Sequence, residues 1–197
     1  MAILKPEFYE RDTVLVAREL LGKIFVRKLK GEVLSGRIVE VEAYHQIGDE
    51  AAHSCRGRTG RNEVMFRRGG HLYVYFTYGM HFCMNAVTEG EGTGSAVLIR
   101  AIEPLKGIET MRRLRGTKIP DRDLTRGPAR SCQAFGIARE ENGLLLDGNV
   151  VGILDADPLP DARIGVSCRV GIKRSRELPW RFFDSESDWV SKGKPSA

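Results

Sequence analysis

HLYVYFTYGMHFCMN, residues 71–85, is the stretch that decides how the rest of the chain is read. Residues 72–77 alternate with a period of two and are rich in β-branched and aromatic side chains, which is the pattern of a strand. Tyr78-Gly79 interrupts the run and residues 81–87 resume it, so the stretch predicts a hairpin with Tyr78 at or near its tip. On the first arm Leu72, Val74 and Phe76 share one face, and Tyr73 and Tyr75 share the other. One side of the hairpin is therefore apolar and the other carries phenols. A bulky ring beside a turn glycine suits insertion into another molecule. Proteins that bend DNA wedge apolar or aromatic side chains between base steps, and enzymes that work on a base take it out of the stack. An ordinary core hairpin with one exposed tyrosine has the same pattern, so the stretch alone leaves both possibilities open.

Upstream, Asp12 is placed to cap a helix over residues 13–21, closed by Gly22, with Val14, Ala17 and Leu21 on its apolar stripe. Residues 24–29 and 33–44 have the composition of strands joined at Lys30-Gly31-Glu32. Residues 46–70 form a long polar connection that holds Arg56, Arg58, Arg61, Arg67 and Arg68. A connection of that length in a compact domain is usually functional or disordered. Downstream, the glycine-rich residues 90–94 are a turn and not a dinucleotide fingerprint, because the spacing is wrong and a strand over 95–102 follows. Helices are predicted over 108–115, stopped by Gly116, and over 128–135, with Pro128 at the first position. A hairpin over 144–153 turning on Asp147-Gly148, late strands over 163–172 and 180–183, and a loose tail over 191–197 complete the pattern. Nothing marks a domain boundary. The fold class predicted is α+β, as a single domain over residues 1–197.

With 42% of its 197 residues hydrophobic, the chain can bury a core without disulfides. A net charge of +5 suits a polyanionic partner without demanding one. Cys55, Cys83, Cys132 and Cys168 are scattered with no C-x-x-C pair, as free thiols of a reducing compartment are. His45, His53 and Cys55 match no common zinc spacing. The first residues lack the order of a secretory signal, and no apolar run reaches membrane-spanning length. The expectation is an intracellular protein without a membrane partner.

The residues with chemical potential cluster around RIVEVEAY. Period two puts Ile38, Glu40, Glu42 and Tyr44 on one face of a strand. Burying a carboxylate there costs several kcal/mol unless it is paired. That face is either solvated, ion-paired or catalytic. Arg100 lies on another predicted strand, with Ala96, Leu98 and Ile102 on its face. An arginine in such a row is seldom unpaired, so it either bridges to Glu40 or Glu42 or holds a water or phosphate beside a catalytic carboxylate. His53 can read a base edge or simply pack, and Asn85 can line a pocket floor or bond its own backbone. Arg126, Gly127 and Arg130 sit at the start of the helix over 128–135. With Arg112, Arg113 and Arg115 before them and Lys173, Arg174 and Arg176 after, they would contact phosphates if they converge on one surface.

Taken together, RIVEVEAY, DEAAHS, RNEVMF, YVYFTYGMHFCMN, VLIRAIEPLKGIETMRRLR and GPARSCQAFGI resemble the alkyladenine, or 3-methyladenine, DNA glycosylases. The resemblance is dense over residues 37–115 and returns near 127–137 and 169–183. It implies a mixed α/β domain with a curved antiparallel sheet and a protruding hairpin. It also implies a monofunctional enzyme that flips a damaged purine from duplex DNA and hydrolyses its N-glycosidic bond. By match to the family motif, Glu42 is the general base and Arg100 helps to place the water. Tyr44, His53 and Tyr75 enclose the base, Asn85 disfavours guanine by crowding its 2-amino group, and Tyr78 fills the vacated stack. No metal or organic cofactor is implied, and one-lesion chemistry requires no second subunit, so a monomer acting on damaged duplex DNA is expected, in the cytoplasm (on the nucleoid) or in a nucleus. Gly60 replaces the proline that many members carry before Arg61-Asn62. Two other classes compete: a nucleic-acid-binding module without catalysis, and a metal nuclease using Glu40, Glu42, Asp49 and Glu50.

Overall fold

The computed structural model describes residues 1–77 and 79–193. Lys30 (φ 48°) and Gly31 (φ 83°) form the tight turn that folds strand β1 (Ile24–Leu29) back on strand β2 (Glu32–Tyr44). Two successive positive-φ residues are what a right-twisted two-residue hairpin needs. With 13 residues, β2 is long enough to serve as the spine of the sheet. One edge of β2 pairs antiparallel with β5 (Ala96–Lys106). The other pairs first with β1, from Glu32 to Arg37, and then with β8 (Arg181–Asp184), from Glu40 to Glu42. Beyond β5 lie β4 (His81–Val87) and β3 (Leu72–Thr77); beyond β1 lies β6 (Val151–Leu154), and β7 (Ile164–Ser167) joins through β8. The result is a curled antiparallel sheet carrying four α-helices: α1 (Pro6–Tyr9), α2 (Thr13–Leu20), α3 (Ile108–Arg115) and α4 (Pro128–Ala134). The fold is α+β, as the alternation of patterns predicts.

Local signals place most of these elements. Asp12 accepts the Leu15 N–H at 2.9 Å and so caps α2, which turns Val16, Ala17 and Leu20 into the core. The main core gathers Leu20, Phe25, Leu34, Val41 and Ile99 on one side of the sheet. Leu72 and Val74 of β3 face it, while Tyr73 and Tyr75 face away, as the alternation requires.

Six expectations need correction. Ile38 does not share a face with Glu40, Glu42 and Tyr44: it lies in the main core with Val41 and Ala43. The register slips between Ile38 and Glu40, so a β-bulge at Val39 inverts the alternation. The adjoining slip between Glu40 and Val41, which leaves Arg100 as the extra residue on β5, places Ile102 in the core with Val97 and Ile99, off the face of Leu98 and Arg100. Strand β5 does not stop near Ile102 but runs through Pro104 to Lys106, where a second slip opposite Ser35-Gly36 accommodates the proline. A Cβ on Gly36 would lie 2.4 Å from Ile102 Cγ2, so only glycine permits this approach. The strand expected over 163–172 ends at Ser167, and residues 168–172 leave the sheet. The predicted 144–153 hairpin is reduced to an Asp147–Gly152 bridge, its second arm pairing with β1 instead. Finally, the segment expected to trail from residue 191 is tied down there: Ser191 N–H donates to Glu40 Oε2 at 2.7 Å. Residues 194–197 lie outside the described residues.

Candidate active site

Glu40 and Glu42 project from the centre of β2, where strands on both sides hold the backbone, and neither is exposed at all. Two carboxylates without solvent need partners. Arg100, from the adjoining β5, supplies the first: its Nε donates to Glu40 Oε1 at 2.8 Å and its Nη1 lies 3.1 Å from Glu42 Oε2. Arg181 of β8 supplies the second, donating from Nε to Glu40 Oε1 at 2.8 Å. Burial by itself would raise the Glu40 pKa, but the two guanidiniums outweigh it and hold the carboxyl below its ordinary value. Two negative and two positive charges thus close on one another inside the fold.

Glu42 has its own set of contacts. Val170 N–H donates to Oε1 at 2.7 Å, and the Tyr44 hydroxyl donates to Oε2 at 2.8 Å. Burial, then the neighbouring Glu42 charge, pushes the Tyr44 pKa well above that of a free phenol, so the hydroxyl stays protonated. Of roughly four lone-pair positions on a carboxylate, three face these partners. Among the described residues, the position left without a donor is on Oε1.

Arg100 and Tyr44 form part of the wall of a cavity of about 370 Å³, within the usual range of roughly 300–1,000 Å³ for small-molecule sites. The same cavity is lined by His53, Tyr73, Tyr75, Cys83, Asn85 and Leu98, and by Val170 to Ile172. His53 and Tyr75 touch edge to face, with centroids 4.5 Å apart at 82°, so they form one wall and leave no slot between themselves. Tyr73 extends that wall, 5.7 Å from Tyr75, and its hydroxyl lies 3.0 Å from His53 Nδ1. His53 lines the cavity and is exposed. Burial, followed by the charge of Arg61, lowers its pKa, so the ring is neutral near pH 7. The Tyr73 phenol is pushed up to about 12 by burial. Asn85 is buried, its Nδ2 donating to Tyr73 O at 3.0 Å.

A second cavity, also about 370 Å³, shares Arg100 and Pro128 with the first. Arg126, Gly127, Arg130 and Lys192 line it, together with Asp123 and Ser191. Arg130 is paired to Asp123 at 3.0 Å, and Arg126 Nε donates to Val190 O at 2.7 Å. Lys173 is exposed and follows directly on the cavity-lining Ile172. Two arginines of α3 are paired elsewhere, Arg112 with Asp121 and Glu109 and Arg113 with Glu32, whereas Arg115 donates to the carbonyl of the cavity-lining Asp123 at 3.4 Å. Tyr78 lies outside the described residues; its neighbour Met80 is strongly exposed on the turn of the hairpin.

The geometry therefore brings together Glu42, Arg100, Tyr44, His53, Tyr75 and Asn85, from segments up to 58 positions apart (100 − 42). It separates Asp49 and Glu50 from them. Asp49 is bidentate to the fully buried Arg169, at 2.6 and 2.7 Å, and Glu50 pairs with Arg174. Among the described residues, no three His, Cys, Asp or Glu side chains converge as a metal-binding group. Sequence reasoning missed Arg169, whose guanidinium lies over the Tyr44 ring, 4.6 Å from its centre, while pairing with Asp49. Its ligands lie 120 positions away in the chain, so no local pattern announces it. Tyr73 was legible, since it alternates in phase with Tyr75.

A phenol-walled cavity backed by a buried carboxylate–arginine centre thus lies beside a second cavity lined by Arg126, Arg130 and Lys192. A family model for methylpurine-DNA glycosylase (MPG) matches residues 7–188, and the chain belongs to that family. It is 51% identical to a protein of Chlorobaculum parvum over 97% of this chain and 91% of the relative. It is 50% identical to one of Chlorobium luteolum over the full length of both, and 47% identical to one of Carboxydothermus hydrogenoformans over 96% of this chain and 99% of the relative. Each of the three bears the name "Putative 3-methyladenine DNA glycosylase". Among the described residues no helix is long and apolar enough to cross a membrane.

Proposed function

We propose that this chain excises alkylated and deaminated purines from duplex DNA, acting inside the cell as one glycosylase domain without a second subunit. The candidate lesions are 3-methyladenine, 7-methylguanine, hypoxanthine and ethenoadenine. The damaged nucleotide rotates out of the duplex and its base enters the cavity between Tyr44 and the His53–Tyr75 wall, while Tyr78 props the gap left behind. Damaged bases stack and pair poorly, which lowers the cost of flipping.

The observation that carries this reading is the Glu42–Arg100 pair, 3.1 Å apart, set directly behind a cavity walled by tyrosines. N-glycosidic cleavage passes through an oxocarbenium-like sugar. A water seated at the vacant position of Glu42 Oε1 attacks the anomeric carbon and gives its proton to the carboxylate. The bond to the purine nitrogen breaks, and its electrons leave with the base. Glu42 also opposes the positive charge on the sugar as it develops. A base alkylated on a ring nitrogen is already cationic and leaves as a neutral molecule. The π faces of Tyr44 and Tyr75 favour that cation by about 0.5–2 kcal/mol. Asn85, on the cavity lining, crowds the 2-amino group of normal guanine. Arg126, Gly127, Arg130 and Lys173 are assigned to phosphates flanking the lesion. Among the described residues no lysine lines the base cavity, which supports an intact abasic site as the product.

The test is base release from duplexes carrying each of the four lesions, with and without chelator. Release that persists in chelator and leaves the backbone unbroken supports the assignment and excludes a metal nuclease. Binding to DNA with no release from any lesion would make the chain a binding module instead.

A further inference from the structure

We propose that Ser191 is a positioning residue of this site, its hydroxyl fixing the plane of the Arg100 guanidinium against Glu42. The inference rests on the assignment above of Glu42 and Arg100 to glycosidic hydrolysis. The hydroxyl works in both directions. It accepts from Arg100 Nη2 at 3.3 Å and donates to Glu40 Oε1 at 2.9 Å, while the Ser191 N–H donates to Glu40 Oε2 at 2.7 Å. Arg100 is thereby held at each of its three nitrogens: Nε by Glu40, Nη1 by Glu42 and Nη2 by Ser191. Two anchors define only an axis about which a planar group can rock; the third removes that freedom. Without it, the cation bordering the base cavity could turn away from Glu42 toward the basic cavity that it also lines.

The segment carrying Ser191 is itself fixed. Arg126 Nε donates to Val190 O at 2.7 Å. A Cβ on Gly193 would come within 2.5 Å of Val170 Cγ1, so this glycine packs without clearance on the residue whose N–H holds Glu42 Oε1. Residues 190–193 thus press on two of the three supports of the Glu42 carboxylate, Arg100 and Val170.

The role predicts a hydroxyl requirement. Alanine has no polar group at this position, cysteine keeps the volume but bonds weakly, and threonine keeps the hydroxyl. Single-turnover release from a lesion duplex should fall roughly 10- to 100-fold in Ser191→Ala and Ser191→Cys, as expected when a reacting group is slightly misplaced. Affinity for the same duplex should change less than about twofold, and Ser191→Thr should recover most of the rate. Rates are compared where circular dichroism shows each variant folded; the volume-conserving cysteine variant decides the matter if alanine does not fold. A wild-type rate in the alanine and cysteine variants, a threonine variant as slow as alanine, or a loss accounted for by affinity would each overturn the proposal. Nitrogen-edited NMR of the Arg100 side chain gives a readout without turnover. Hindered rotation about its Cζ–Nε bond should persist in the wild type and Ser191→Thr and vanish in Ser191→Ala; equal rotation in all three overturns the contact. A wild type that releases no base while the NMR contrast holds would instead overturn the glycosylase assignment.

Discussion

Arg100 engages two carboxylates of a single strand face at once, donating to Glu40 at 2.8 Å while lying 3.1 Å from Glu42. The two glutamates are two residues apart on β2, so the pleat aims both at the same neighbour. Their situations differ. Glu40 receives four donors from Arg100, Arg181 and Ser191, three of them on Oε1. Glu42 retains one vacant lone-pair position and stands behind the cavity wall. On the proposed function, the first holds an arginine and the second receives a proton.

Glu42→Gln therefore keeps the shape and loses the base. Release of any lesion base should fall by at least about 100-fold, the usual weight of general-base catalysis. Binding to the lesion duplex should persist. Single-turnover release measured beside fluorescence-anisotropy binding checks both, and equal rates in the two proteins would remove Glu42 from its role.

Glu40→Ala leaves Arg100 and Arg181 facing each other in a site that solvent barely reaches. Removing one partner of such a buried set costs roughly 3–5 kcal/mol, readable by urea denaturation. The pH dependence has a definite sign. Burial opposes ionisation of Glu40, but its arginines prevail and hold its folded pKa below the ordinary 4.5. Its contribution to stability is complete above about pH 4.5 and is lost as pH falls through the folded value, because the unfolded chain takes up the proton first. Glu40→Gln should flatten that part of the acid limb.

Tyr75→Leu removes a π face from the cavity while preserving apolar bulk. The preference for cationic 7-methylguanine over neutral hypoxanthine should shrink roughly 2- to 30-fold, the equivalent of about 0.5–2 kcal/mol. The ratio of kcat/KM values for the two lesions in one duplex context measures it. An unchanged ratio would mean that the wall acts by shape alone.

Asn85→Ala opens the cavity beside the 2-amino position of a purine and frees the Tyr73 carbonyl that Asn85 Nδ2 binds at 3.0 Å. Release of undamaged guanine should rise above background, with a stability loss of about 1 kcal/mol. Counting guanine freed from lesion-free duplex gives the first figure, and thermal denaturation the second.

Tyr78→Ala should weaken binding to lesion duplex and slow release, measured by fluorescence anisotropy beside single-turnover release. Unchanged affinity and rate would dismiss the wedge.

Much of this architecture was legible in the residues themselves. The hairpin arms at 72–77 and 81–87, the capped helix α2 and the turn at Lys30-Gly31 follow from period-two alternation, an N-cap and local glycine. Short-range stereochemistry governs all three, and a linear string records it. The pairing of Arg100 with Glu40 and Glu42 was foreseeable because a charge in an apolar strand row demands an opposite charge. The faces of Ile38 and Ile102 were not, since a bulge inserts one residue and reverses every later alternation.

What the sequence alone determined, then, is the strand and helix inventory and the chemical types gathered on the glutamate–tyrosine face. These depend on neighbours within a few positions, or on the rule that buried charge must be paired. Only the tertiary structure decided that Arg169 would stack on Tyr44, that residues 168–172 would leave the sheet for the cavity wall, and that Ser191 would close on Arg100. Those contacts join positions 91 to 125 residues apart (191 − 100; 169 − 44), and no local periodicity encodes a meeting that exists only once the sheet has curled.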